Sequence, residues 1–240
     1  MAVGSTSSSY EAVAMSSNDG GRRWDAVAVP KGENELTLVA CTTRRDCIAE
    51  GEVESIVGDP SGGNRISIIT TNNGGSSWKQ RPIPIDSAAP PGFPSFTGLT
   101  CATPNHCLLL GDATPPDGSS LGVILSSSDS GASWTDQALP PDTTILNGIS
   151  CGSATQCVAA GGGFGGRGGS TQDLLSTNNG GQTWTVRSVP PSAEGLDGVS
   201  CSSATSCLAV GFAYSSAAPT AQPAAVIVTH DGGVTWNATP

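Results

Sequence analysis

Charge is scarce in this chain, and positive charge most of all. Asp, Glu, Lys and Arg make up 12% of its 240 residues, about half the share usual in globular domains. Ten basic residues stand against twenty acidic ones, for a net charge of −10. Nucleic acid and anionic membrane surfaces are therefore not expected as partners, because both need clustered Lys and Arg. No apolar run approaches the ~18 residues of a membrane span, so no membrane insertion is expected. With only two histidines, no Ser-His-Asp set is credible: His106 lies within a cysteine loop and His230 within a turn motif. Stretches free of Gly, Pro and β-branched residues are also missing, which argues against long helices. What is plentiful is turn chemistry: 32 Gly and 17 Pro, with many Ser and Thr, describe a soluble, turn-rich, all-β protein.

A repeat organises these residues. Trp24, Trp78, Trp134, Trp184 and Trp236 are spaced at about 50 residues, and each closes the same octapeptide: 17–24, 71–78, 127–134, 177–184 and 229–236. The shared pattern is S/T-x-D/N-x-G-x-S/T-W, with Asp19, Asn73, Asp129, Asn179 and Asp231 at its third position and Arg23 as its one departure. In register run four cysteine pairs with five residues between them: Cys41/Cys47, Cys101/Cys107, Cys151/Cys157 and Cys201/Cys207. A Gly follows each pair four residues later, at Gly51, Gly111, Gly161 and Gly211. One unit reads strand A, cysteine loop, strand B, variable loop, strand C, octapeptide turn, strand D. Four short strands per ~50 residues predict a β-propeller blade. The expected domain is a single propeller over 1–240, with a partial blade at 1–30 and complete blades at 36–84, 97–140, 146–190 and 196–240. The first blade lacks strand A and its cysteines, since Met1 aligns with Leu208. About five blades are expected, either as a ring open at one seam or as an arc of a larger ring.

The octapeptide has a chemical rationale. Asp or Asn accepts backbone N–H groups of its own turn, Gly supplies a positive φ, and Trp packs between sheets. The acid is thus expected to be a structural acceptor and not a catalyst, and Asn in two copies cannot act as a general acid. The motif resembles the Asp box, or bacterial neuraminidase repeat, of sialidases, sortilin, some glycoside hydrolases and photosystem II assembly factors. The resemblance implies that it sits between the third and fourth strands of a propeller blade.

For the cysteines, disulfides across the A–B hairpins fit better than zinc or free thiols. Zinc pairs usually have two to four residues between them and need a second pair or histidines nearby. Disulfides imply an oxidising compartment, extracellular or periplasmic. Met1-Ala-Val-Gly-Ser-Thr is no signal peptide. The expectation is a C-terminal part of a longer secreted protein, or a truncated reading frame. Neither a metal nor a cofactor is expected.

Strand alternation puts cysteine loops and octapeptide turns on one face, and B–C and D–A loops on the other. The second face varies between blades, and variable loops on a rigid frame are where binding is usually placed. Its candidate ligand contacts are Glu52, Glu54, Phe93, Phe96, Asp112, Phe164, Arg167 and Tyr214. The Gly161–Gly169 run is not a phosphate loop, because no Lys-Ser/Thr follows it. A sialidase-like site, as the resemblance implies, needs an arginine triad, a Tyr–Glu pair and an Asp; only Tyr10 and Tyr214 are available, and no residue sits in a motif that assigns it a role. No catalytic residue is assigned. The expected function is a non-catalytic extracellular propeller that binds a protein or glycan, with a glycoside hydrolase as the alternative.

Overall fold

The computed structural model describes residues 1–7, 11–53, 65–81, 94–115, 118–164, 170–171, 173–193, 195–213 and 223–239. Among these there is no helix; the chain forms five antiparallel blade sheets and one small hairpin. Blade 1 has three strands, Ala2–Ser5, Ala12–Ser16 and Asp25–Val27, which correspond to B, C and D. Blade 2 has A Glu33–Cys41, B Cys47–Val53, C Arg65–Thr71 and D Lys79–Arg81. Blade 3 has Pro94–Cys101, Cys107–Ala113, Leu121–Ser127 and Thr135–Asp136. Blade 4 has Leu146–Cys151, Cys157–Gly161, Leu174–Thr177 and Thr185–Val186. Its B–C connection carries the hairpin Gly163–Phe164 with Ser170–Thr171. Blade 5 has Gly195–Cys201, Cys207–Phe212, Ala224–Thr229 and Asn237–Ala238.

Two compact units divide the chain: Met1–Ile85 with Thr103–Cys107 and Ser127–Trp134, and Asp86–Ala102 with Leu108–Ser126 and Thr135–Pro240. In the first, Ala14, Leu36, Ala49 and Ile69 form a core, flanked by Val3, Val27 and Trp78. In the second, Leu108, Leu110, Ile124, Leu146, Leu175 and Trp184 join blades 3 and 4. Val158, Ala160, Leu174, Leu196, Ile227 and Trp236 join blades 4 and 5. In blade 4 apolar side chains line both faces of the inner strands because its sheet lies between those of blades 3 and 5.

The repeat's conserved spacings have local causes. Cys41 pairs with Cys47, Cys151 with Cys157 and Cys201 with Cys207, at Cα–Cα distances of 4.0–4.1 Å across the A–B hairpin. Cys101 and Cys107 are disulfide-bonded too. Closing so short a loop constrains the unfolded chain by about 2 kcal/mol per bridge. Strand A bulges at Thr37, Asn147 and Asp197, where the register to strand B slips by one residue. The bulge turns a carbonyl toward strand B. A Cβ on Gly51, Gly111, Gly161 or Gly211 would stand 1.9–2.0 Å from the oxygen of Glu35, Ser95, Ile145 or Gly195, so only Gly fits.

The octapeptide turns behave as their composition requires. The Ser or Thr at the first position donates to the Asp or Asn Oδ1 at 2.7–3.0 Å in all five copies. The same hydroxyl accepts the N–H of the fifth-position Gly at 2.8–3.0 Å. Asp and Asn are interchangeable because the seventh residue's hydroxyl reverses its role. Ser133 and Thr235 donate to Asp129 and Asp231, whereas Asn73 and Asn179 donate to Ser77 and Thr183. The Ser133 hydroxyl first, and the Thr235 hydroxyl first, hold the carboxyls of Asp129 and Asp231 below the ordinary range; the Arg23 N–H does the same for Asp19. Carboxylates held ionised in this way do not supply protons near neutrality.

The tryptophans differ in environment. Trp184 is 7% exposed and Trp24 is 42% exposed. Replacing Trp184 by Ala is expected to destabilise by about 3–5 kcal/mol, and Trp24→Ala by less than about 1 kcal/mol. Urea unfolding of the two variants measures the difference; equal losses would contradict this packing.

Candidate ligand-binding site

Glu54, Phe93, Arg167 and Tyr214 lie outside the described residues, as does the side chain of Phe164, whose backbone forms the blade 4 hairpin. Three candidates are placed. Phe96, expected in a loop, is a buried residue of strand A in blade 3. It holds the repeat position of Leu36, Leu146 and Leu196, and its ring belongs to the core. Glu52 and Asp112, also expected in loops, occupy equivalent positions near the ends of strands B. Both strands run two residues past the repeat's Gly; in blade 2 they do so because strand C still pairs there, Glu52 with Ile66 and Val53 with Arg65. Burial raises the Asp112 carboxyl above its ordinary value.

The inner strands of blade 2 bring further carboxylates together. Register pairs Glu35 with Glu52, and Leu38 with Glu50, across strands A and B. Glu50 is the exception to the repeat. Its position holds Leu110, Ala160 and Val210 in blades 3, 4 and 5, yet Glu50 is buried, as Leu110 and Ala160 are. Thr37, the bulge residue beside it, donates its hydroxyl to Glu50 Oε2 at 2.5 Å. In blade 4 the bulge residue Asn147, and in blade 3 Thr97 at the same repeat position, instead reach the next blade's strand A, at the carbonyls of Leu196 and Leu146. Burial pushes the Glu50 carboxyl up to about 7; the Thr37 hydroxyl opposes this, and the charges of Glu52 and Glu35 add to it.

Two other acids have structural partners. Glu33 is buried, and its Oε1 accepts from Ser67 Oγ and Gln80 Nε2, both at 2.8 Å. Its Oε2 is buried without a partner among the described residues. In blade 4 Asp173 Oδ2 accepts from the N–H and hydroxyl of Thr144 and the N–H of Ile145. That carboxylate clasps the entry to strand A. Glu33, Glu35 and Thr37 were not among the candidates read from the sequence. The available signal was the alignment of blades, in which position 50 changes from apolar to acidic.

The opposite face carries a groove of about 600 Å³ in the first unit, between the blade 1 octapeptide turn and the blade 2 cystine loop, lined in part by Asn18, Arg44, Arg45 and Asn73. Its walls are the repeat's own turns, and the Arg45 carbonyl caps the N–H of Gly74.

No protein-family profile matches the sequence, and no curated protein matches it. Solved structures do match. YCF48 bound to a D1 peptide is similar at a TM-score of 0.52 and 16% identity, over 95% of this chain and 74% of that one. An ancestral GH74 enzyme gives 0.62 and 12%, over 99% of this chain and 29% of that one. A Hadza microbial sialidase gives 0.57 and 16%, over 94% of this chain and 51% of that one. The fold is a β-propeller. At these identities the likeness is one of fold. This propeller spans about half the length of the sialidase chain and less than a third of the GH74 chain. Its neighbours include a peptide-bound protein and enzymes, so the fold alone does not choose between binding and catalysis.

The raised Glu50 carboxyl has a stability signature. Between its unfolded value near 4.5 and about 7, the folded state holds the proton that the unfolded chain releases. Stability therefore falls as pH rises through this window. The full loss is roughly 3 kcal/mol. Glu50→Gln should remove this slope, and Glu50→Leu should be more stable than the parent at pH 8. Urea melts from pH 5 to pH 8 read both; parallel profiles for parent and variants would contradict the buried carboxyl.

Proposed function

We propose that this propeller is a non-catalytic binding protein of an oxidising, extracellular compartment. Its B–C and D–A face takes a protein ligand through a basic segment. The observation that carries the reading is the replacement of an apolar repeat position by buried Glu50, with Glu35 and Glu52 beside it on the two paired inner strands of blade 2. A buried carboxyl costs stability, and the other blades show an apolar side chain at the same position. An acidic patch on a chain of net charge −10 attracts cationic partners and speeds their encounter. The disulfides support the compartment.

A second reading rests on the same residue. A carboxyl that titrates near 7 next to a second carboxyl is the pairing that glycoside hydrolysis uses, one group as acid and the other as base or nucleophile. In that case Glu50 is the acid and Glu52 its companion.

Fluorescence anisotropy with a labelled oligolysine peptide tests the first reading. Glu35→Gln/Glu52→Gln is expected to weaken binding at least tenfold. Asp25→Asn/Asp142→Asn, which removes the same charge elsewhere, should leave affinity within about twofold, by the rule that a screened distant charge matters little. Equal losses in the two variants would reduce the effect to net charge and reject the site. Turnover of chromogenic glycosides that Glu50→Gln abolishes would establish the enzymatic reading instead.

A further inference from the structure

The repeat is also broken on the face of the cystine loops and octapeptide turns. The sixth and seventh positions of the turn are neutral in four copies: Ser76-Ser77, Ala132-Ser133, Gln182-Thr183 and Val234-Thr235. Blade 1 carries Arg22-Arg23 there. The middle of the cystine loop is neutral in blades 3, 4 and 5, at Pro104-Asn105, Ala154-Thr155 and Ala204-Thr205, whereas blade 2 carries Arg44-Arg45. In the other four turns the seventh-position hydroxyl is hydrogen-bonded to the Asp or Asn. Arg23 gives that hydroxyl up, so the exchange costs the turn a hydrogen bond.

Four of the chain's ten basic residues thus stand on two neighbouring loops of the first unit, and all four are exposed. Exposure belongs to these positions of the repeat: Ser76, Gln182 and Val234 are exposed too, as are Asn105, Thr155 and Thr205. None of the four arginines forms an ion pair among the described residues. The acids of the same two loops serve the loops themselves. Asp19 accepts the N–H groups of Arg22 and Arg23, and Asp46 accepts the hydroxyl of Thr43. The groove between the loops is lined by Arg44 and Arg45, with Ser17, Asn18, Thr43 and Ser76, and by no carboxylate among the described residues. Like charges set side by side in this way repel, and a bound anion removes the repulsion.

We propose that these two loops bind a short sulfated glycan. Guanidinium groups grip oxyanions through paired N–H donors, and clusters of them suit densely charged polyanions. The hydroxyls and the amide of the groove suit the sugar hydroxyls between the sulfates. The rest of the chain selects for a short ligand. A nucleic-acid strand or a membrane surface extends past the arginines and meets the excess of negative charge on a chain of net charge −10, whereas an oligosaccharide does not reach it. The disulfides support an oxidising, extracellular compartment, to which such glycans belong. The site uses none of the acidic residues on the inner strands of blade 2, and it stands whether or not those residues bind a basic segment.

Fluorescence anisotropy with a labelled heparin hexasaccharide, on the full chain, tests the proposal. Arg22→Ser/Arg23→Ser and Arg44→Ala/Arg45→Thr bring in residues that other blades carry at the same positions, so neither variant asks its loop for a new conformation. Each is expected to weaken binding about tenfold or more, as the loss of charge-assisted contacts does. Each should also lower the slope of log affinity against log salt by about two, one per lost cation. Lys31→Gln/Arg81→Gln removes two positive charges from the same unit, and Gln137 shows that Gln serves at the Arg81 position, since each donates to a hydroxyl of strand C. This control should stay within about twofold of the parent. A parent that does not bind the hexasaccharide would overturn the proposal, and so would an equal loss in the control. An oligothymidylate of the same charge that binds as tightly would also overturn it, because the loops would then select charge and not a glycan.

Discussion

The structure depends on one contact, the seating of a glycine turn on an apolar side chain of the blade before it. At Gly131 on Ile48, Gly181 on Leu108 and Gly233 on Val158 a Cβ would crowd the side chain beneath it at 2.9–3.1 Å. The turn must therefore present bare backbone, and its φ of 78–91° is one that glycine adopts without strain. The rest of the octapeptide serves that approach. The leading Ser or Thr and the Asp or Asn hold the turn's N–H groups, and the Trp closes over the same junction. The cystine loop braces the turn from the other side: the carbonyls of Arg45, Thr155 and Thr205 accept the N–H groups of Gly74, Gly180 and Gly232. A repeat built this way adds stability between nearest neighbours, as stacked repeats do.

The repeat pattern is broken in blade 2. Strand A bulges in each of blades 2, 4 and 5, and Asn147 of blade 4, with Thr97 at the same repeat position in blade 3, ties one blade to the next through a carbonyl. In blade 2 the hydroxyl of Thr37 turns instead to Glu50. The frame thereby loses a use of that hydroxyl and gains a carboxyl that is half protonated near neutrality. Asp173 is the useful contrast. It too is a buried acid, but three donors from Thr144 and Ile145 surround one oxygen, and its role is to clasp backbone. Partners thus separate the two acids: one oxygen of Asp173 is surrounded by donors of its own chain, whereas Glu50 takes the Thr37 hydroxyl and has like charges beside it.

Much of the fold was legible because the repeat multiplies weak signals. One S/T-x-D/N-x-G-x-S/T-W segment says little, but five at a regular spacing fix the turn positions, and four Cys pairs in phase fix the A–B hairpins. The missing strand A of blade 1 could be read the same way. The candidate site was less legible. Phe96 looks like an exposed aromatic beside Pro94, yet the strand begins at Pro94 and turns the ring inward. Glu52 looked like a loop acid because Gly51 resembles a strand end. That Gly instead marks the crossing of strand A's carbonyl over a strand that continues.

By itself the sequence determined the blade period, the turn chemistry and the local cystines, because each depends on residues within about ten positions of one another. Only the tertiary structure decided that Glu50 is buried, that Thr37 faces it, and that Gly51 is required by a carbonyl sixteen residues earlier. Those facts depend on bulge register and on the neighbouring sheet. Period-two alternation is blind to a one-residue slip, and that slip moves a side chain from one face of the sheet to the other.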